Sequence, residues 1–201
     1  EVEDDLQLAM YEHTIDRLGE LDWQHYEVSN FCISGAQCRH NLSYWNGRCW
    51  WAFGAGASSF LPVDQEGAFH QVPPILQVDS TGQQPISFQS PPLLWQLCTN
   101  HRSTTQYVKL IQQRRSPVAE RELLDWDAWV RQRMVFGLRQ LAGVELSELE
   151  RLSGLPVRSL FEPYLSRYLD RNWLELHCGR LRLTRAGLMI SDGLWPDLLA
   201  P

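Results

Sequence analysis

The sequence predicts an α/β front segment followed by a mostly helical, winged-helix-like C-terminal region. Three observations carry that prediction. An amphipathic pattern over residues 4–21 runs directly into an alternating segment at Trp23–Phe31, and a helix followed closely by a strand is the α/β unit. A second segment, Cys49–Leu61, is apolar on both faces, as a buried strand is. After residue 124 the order is helix, helix, helix, β-hairpin, helix, which is the order of a winged helix.

Each element has its own warrant. In residues 4–21, Leu8, Tyr11, Ile15 and Leu18 recur at spacings of three and four and trace one apolar stripe. Asp4 and Asp5 suit the positive N-terminal end of that helix. In Trp23–Phe31, Tyr26 and Val28 fall on one face of a strand, with His25, Glu27, Ser29 and Phe31 on the other. Residues 62–98 are punctuated by Pro62, Pro73, Pro74, Pro85, Pro91 and Pro92 within a Gln/Ser-rich run. They read as a long loop or irregular insertion with short edge strands at best. Residues 104–115 read as a helix with Tyr107, Val108 and Ile111 inward. Residues 125–142 form the strongest helical pattern, with Trp126, Trp129, Val130, Met134, Gly137, Leu138 and Leu141 on one face.

A short helix holding Leu146, Leu149 and Leu152 ends at Gly154. The next runs from Pro156 to Asp170, and Pro163 inside it predicts a kink. Trp173–His177 and Arg180–Leu183 form a hairpin about Cys178-Gly179, and Thr184 caps a last helix through Ser191.

Composition narrows the function classes. The chain has 201 residues, 44% of them apolar and 21% charged, which is ordinary globular usage. No apolar run reaches the ~18–20 residues of a membrane span, and EVEDDLQLAM lacks the basic-then-apolar order of a signal peptide. The net charge of −6 resides entirely in the first 60 residues; the rest is balanced. No segment is a net basic surface, which argues against a nucleic-acid footprint. Five cysteines, Cys32, Cys38, Cys49, Cys98 and Cys178, occur without a CxxC. Their odd number and irregular spacing fit a reduced, cytoplasmic protein and no zinc-site pattern.

Site chemistry concentrates in Trp23–Leu61. If Trp23–Phe31 is a strand of a parallel barrel, Glu27 faces the lumen and can bind an ammonium or hydroxyl group; an edge strand with one wet face explains it equally well. In Arg39-His40-Asn41-Leu42-Ser43-Tyr44-Trp45, a neutral His40 imidazole can ligate iron or another metal. Tyr44 and Trp45 can stack a flat macrocycle, and Arg39 can pair with a carboxylate. Spacing alone favours a plainer reading, an HN turn anchored by two core aromatics. Gly54-Ala55-Gly56-Ala57 permits close backbone approach to something flat or charged, or simply tight strand packing; with no clear helix following, it is a poor dinucleotide fingerprint. Residues 145–153 and 156–170 can be read as a helix-turn-helix with a wing. Exposed Glu162, Pro163 and Asp170 make a packing or lid module the better reading.

The assembled residues resemble one family. AMYEHTIDRLGELDWQHYEVSNF, then QCRHNLSYWNGRCWWAFGAGASSFL, with NHRSTTQY, RMVFGLRQLAGVEL and LRLTRAGLMISDGL behind them, resemble the oxygen-independent coproporphyrinogen III oxidase family of radical SAM proteins, most closely its heme-chaperone (HemW-like) branch. The likeness covers most of the chain except about residues 62–98. It implies the last units of a partial (βα) barrel that binds S-adenosylmethionine and a [4Fe–4S] cluster in the family, followed by the helical C-terminal domain. It divides the chain into residues 1–61 (the C-terminal part of the barrel), 62–103 (a divergent loop or insertion) and 104–201 (a helical domain with a small β-hairpin).

The resemblance makes His40 the heme-associated candidate and candidate iron ligand, with Arg39, Asn41, Tyr44, Trp45, Glu27, Gly54 and Gly56 as cofactor-binding candidates. It implies heme or a porphyrinogen as ligand, and hemoproteins that receive the heme as partners. The family's CxxxCxxC cluster motif has no counterpart in this sequence. The expectation is therefore the C-terminal part of a longer protein, or a degenerate product, that is not catalytic alone and works in heme binding and trafficking. Porphyrinogen decarboxylation and a winged-helix nucleic-acid module are the alternatives.

Overall fold

In the computed structural model the chain is described over residues 3–63 and 94–200, and it divides into two compact units. The first comprises residues 1–47, 131–151 and 156–201; the second comprises residues 48–130 and 152–155.

The first unit begins with α1 (Asp4–Glu20), whose first turn carries Asp4 and Asp5. No α1 residue is fully buried; Tyr11, Ile15 and Leu18 are half-buried, and Leu8, expected on the same stripe, is exposed. The chain then forms an antiparallel hairpin of β1 (Gln24–Glu27) and β2 (Asn30–Cys32). Trp23–Phe31 is therefore not one strand. It turns back at Val28-Ser29, so His25 meets Phe31 across the hairpin rather than along a strand face. Next, α2 (Arg39–Trp45) makes the HNLSYW segment a two-turn helix rather than an HN turn.

The C-terminal part of this unit has the expected winged-helix order. It contains the end of α4 (Trp126–Leu138), β6 (Val144–Glu145), most of α5 (Leu146–Ser153), α6 (Val157–Leu160), α7 (Tyr164–Asp170), β7 (Leu174–His177), β8 (Arg180–Leu183) and α8 (Arg185–Met189). The kink foreseen at Pro163 is a complete break between α6 and α7, and the Glu162–Pro163 peptide bond is cis. The wing turns through Cys178 (φ 49°) and Gly179 (φ 78°), the left-handed pair that a two-residue hairpin requires. β6 adds a third strand, giving the order β6-β8-β7. The Thr184 side chain accepts from the Gly187 N–H at 3.0 Å and caps α8 as expected. The helical path continues past the predicted end, through a short 3-10 turn at Ser191–Gly193 to α9 (Trp195–Leu199). Buried Met134, Leu138, Leu149, Phe161, Leu165, Leu181 and Leu198 make the core of this part.

The second unit is an antiparallel sheet in the order β3-β4-β5, formed by β3 (Ser58–Val63), β4 (Leu94–Asn100) and β5 (Val118–Leu124), with α3 (Thr104–Gln112) between β4 and β5 in the chain. Its centre is a run of rings. Trp50 stacks on Phe60 at 5.1 Å, Phe60 on Trp95 at 5.0 Å, and Trp95 on Trp129 at 5.5 Å.

Two sequence readings change in this unit. Cys49–Leu61 is not one buried strand: a turn at Gly54–Gly56 separates a single bridge at Trp50 from β3. The Pro-rich run also ends earlier than expected, because residues 94–98 begin the central strand of the sheet. Most of the predicted insertion, residues 64–93, lies outside the described residues. The mixed α/β class holds, and every strand pairing among the described residues is antiparallel.

Candidate functional site

The candidate residues fall into three local settings. The first is the hairpin turn. Glu27 is fully buried. One carboxylate oxygen accepts from the Asn30 side-chain amide and the other from the Ser29 N–H at 3.3 Å. Tyr11 on α1 donates its hydroxyl to the Val28 carbonyl at 2.6 Å, and Val28 donates its N–H to the Arg139 carbonyl at 2.9 Å. Burial, with the Glu27 and Asp192 charges adding to it, pushes the Tyr11 hydroxyl up to about 12. His25 stacks on Phe31 at 4.2 Å, and burial holds its imidazole below the usual histidine value. Glu27 thus spends both oxygens on its own turn, and the hairpin has the character of a brace.

The second setting is α2. Arg39 and His40 are exposed, while Asn41 through Trp45 are half-buried. The helix places His40 and Tyr44 one turn apart on one face, with their rings edge-to-face at 5.0 Å. Its far end is held from below. Arg133 donates to the Trp45 carbonyl at 3.0 Å, and the Gln140 side chain donates to Asn46 Oδ1 at 3.1 Å. The Trp45 ring packs against Phe136 at 5.7 Å, and the Arg139 guanidinium lies over it at 4.7 Å. Gly47 ends the helix at φ +58°, where a Cβ would overlap the Arg133 side chain. Burial lowers the Arg133 guanidinium to about 10. The result is an exposed imidazole on a short helix that is pinned from its other side.

The third setting is the glycine run, which belongs to the second unit. Gly54 (φ 107°) and Gly56 (φ 71°) are present because the turn needs left-handed backbone. Tight packing does not explain them: a Cβ on Gly54 would meet nothing within 4 Å, and one on Gly56 would meet Arg102 only at 3.8 Å. Their polar backbone groups are engaged internally. Gly54 N–H donates to the Tyr107 hydroxyl at 3.1 Å, Gly54 C=O accepts from the Asn100 side chain at 3.0 Å, and Gly56 N–H donates to the His101 carbonyl at 3.0 Å.

Cofactor chemistry separates cleanly on these donors. A tetrapyrrole iron takes a single imidazole, and exposed His40 fits that need. A [4Fe–4S] cluster needs converging thiolates, and these cysteines do not fit. Cys32 is buried in β2, burial raises the Cys49 thiol to about 11, and it also raises the Cys98 thiol. Among the described residues no group of three or more His, Cys, Asp or Glu side chains can hold a metal ion.

Among known families, the model for the HemN C-terminal domain matches residues 125–190. The chain is also similar to the heme chaperone HemW of Mycobacterium tuberculosis, at 29% identity over 98% of this chain and 40% of the relative. The HemW of Lactococcus lactis is 23% identical over 98% of the chain and 43% of the relative. A shorter stretch, 25% of the chain, is 39% identical to HemW of a Synechocystis strain. Among solved structures, the radical SAM enzyme coproporphyrinogen III oxidase (HemN) from Escherichia coli superposes with a TM-score of 0.61 over 93% of this chain and 39% of that one, at 12% identity. At that identity the superposition speaks for the fold alone. The chain spans about two-fifths of the length of these relatives. The resemblance read from the motifs is borne out.

One residue of the HemN-like domain was not singled out as a site candidate: Arg139, inside the quoted RMVFGLRQLAGVEL. Its side chain covers Trp45 from a position about ninety residues away in the sequence, and no spacing pattern predicts such a contact.

Proposed function

We propose that this chain contacts heme through the His40 region of α2 and works in heme trafficking, as part of a protein like the HemW chaperones. One observation carries the reading. His40 is an exposed imidazole on a helix whose other side is committed to Arg133, Arg139, Phe136 and Gln140. The names of the relatives that cover 94–98% of the chain support it. In this reading Tyr44, one turn from His40, presents ring surface to the macrocycle, Trp45 anchors the helix beneath it, and Arg39 and Asn41 offer polar contacts at its rim. Glu27, Gly54 and Gly56 act as supports for the backbone. Recipient hemoproteins and a cytoplasmic location belong to the same proposal, as does the division at residues 61 and 103.

No [4Fe–4S] site is proposed among the described residues. Porphyrinogen decarboxylation is the weaker alternative, because the oxidase matches in fold at 12% identity whereas the chaperones match in sequence over nearly the whole chain. A winged-helix nucleic-acid module is weaker again, since the region is charge-balanced and matches the HemN domain.

The test is a hemin titration of the purified chain. A saturating Soret shift is expected, and His40→Ala should abolish it while leaving the far-UV circular dichroism unchanged. A shift of equal size in His40→Ala would sink the assignment.

A further inference from the structure

The second unit holds a cavity of about 270 Å³ on the face of the β3-β4-β5 sheet opposite Phe60 and Trp95. The strand register sets its floor. Ser59 pairs with Cys98, and Cys98 with Arg121, so these three side chains form one row across the sheet. The surroundings are apolar. Leu61 extends the floor, Ile111 comes from α3, and Trp51 and Phe53 add ring surface that is 54% and 84% exposed. Arg121 is the one cation of the described lining, and it makes no hydrogen bond or ion pair among the described residues. Cys98 beside it supplies no counter-charge, because burial raises the thiol, which donates to Gln96 Oε1 at 3.0 Å. Glu120 and Glu122 flank Arg121 in β5 and therefore lie on the opposite face of the strand. Two hydroxyls of the lining each retain a proton to donate. Ser59 Oγ accepts from the Ala52 N–H at 2.8 Å, and the Tyr107 hydroxyl accepts from the Gly54 N–H at 3.1 Å.

We propose that this cavity binds a flat, ring-bearing monocarboxylate, with the carboxylate on Arg121 and the ring against Trp51 and Phe53. Charge selects the head group. The rest of the described lining is neutral, and a guanidinium takes a carboxylate with two parallel hydrogen bonds. The long stem of Arg121 lies along apolar surface while its head swings to meet the ligand. Ser59 and Tyr107 are placed to add a hydroxyl donor. Exposure selects the body. Large aromatic rings left in water beside an apolar hollow mark a binding surface, and their faces and edges suit a second flat ring. Size limits the ligand. Pockets for small molecules run about 300–1,000 Å³, and this one falls just below that range, enough for one or two fused rings and too small for a tetrapyrrole. The site lies wholly in the second unit, whereas α2 belongs to the first, so it stands or falls independently of heme contact at His40.

The probes are 2-naphthoate and its uncharged counterpart 2-naphthamide, titrated into the full chain by ligand-observed NMR. The unmodified chain should bind naphthoate roughly tenfold more tightly than the amide. Arg121→Gln should bring naphthoate down to the affinity of the amide and leave the amide unchanged. Phe53→Ala should weaken both ligands together, by roughly threefold to tenfold. Both substituted side chains are exposed, so the melting temperature should not move. Lys109→Gln, at an exposed α3 position on the other side of the helix from Tyr107 and Ile111, should change neither affinity. Absence of naphthoate binding overturns the site, as does equal affinity for acid and amide in the unmodified chain. A loss in Lys109→Gln equal to that in Arg121→Gln shows diffuse attraction to positive surface, and also overturns it. Full binding in Phe53→Ala overturns the placement of the ring.

Discussion

The β1–β2 hairpin and α2 come from the same motif-dense stretch, yet they use their polar residues in opposite ways. In the hairpin every strong group is spent inward. Both Glu27 oxygens serve the turn, Tyr11 holds the Val28 carbonyl, and Val28 holds Arg139. In α2 the inward side is anchored, while His40 and Arg39 face outward, and the Trp45 N–H has no acceptor among the described residues. Residue type alone does not separate a brace from a binding face. What separates them is whether the hydrogen-bonding capacity is already used.

The largest expected difference is in stability. Glu27→Ala strips the acceptors from the Asn30 amide and Ser29 N–H in a buried turn, and should cost about 2–4 kcal/mol in urea denaturation. His40→Ala, at an exposed helical position, should stay within about 0.5 kcal/mol. Similar costs for the two would erase the contrast.

Gly47→Ala tests how tightly α2 is pinned. A left-handed residue and an overlap with Arg133 together should cost about 1–3 kcal/mol, and hemin affinity should fall with stability because Arg133 holds the Trp45 carbonyl.

The hairpin brace should also show in alkali. The folded Tyr11 hydroxyl keeps its proton to about 12, whereas the unfolded one ionises near 10. Between those values the unfolded state binds fewer protons, so stability falls as pH rises. The contribution is about 1 kcal/mol after discounting for partial exposure, and Tyr11→Phe should flatten that part of the curve.

The smallest effect is at His25, whose folded pKa is depressed by burial. Its contribution is present above the unfolded value of about 6.5 and is lost as pH falls toward the folded one. His25→Gln should reduce the acid-side slope without altering the alkaline side.

Much of the C-terminal part was legible in the sequence, because its signals are local. The α4 face repeats at helical spacing, Cys178-Gly179 supplies the left-handed turn, and Thr184 is a capping side chain. The second unit was harder. β5 reads VAERELL with only Leu124 buried, so it shows no alternation. β4 follows directly on Pro91 and Pro92 and takes its central place only through pairing with β3 and β5. Glu27 was legible as unusual, but its role was not, because the partners that occupy it depend on where the chain turns back. Arg139 was hidden for the same reason, since its meaning comes from Trp45.

The most direct measurement is a parallel hemin titration and thermal melt of His40→Ala and Glu27→Gln. The account predicts that His40→Ala loses the Soret shift at an unchanged melting temperature, while Glu27→Gln keeps the shift, below its lowered melting temperature. A folded His40→Ala that retains the shift beside a folded Glu27→Gln that loses it would contradict the account.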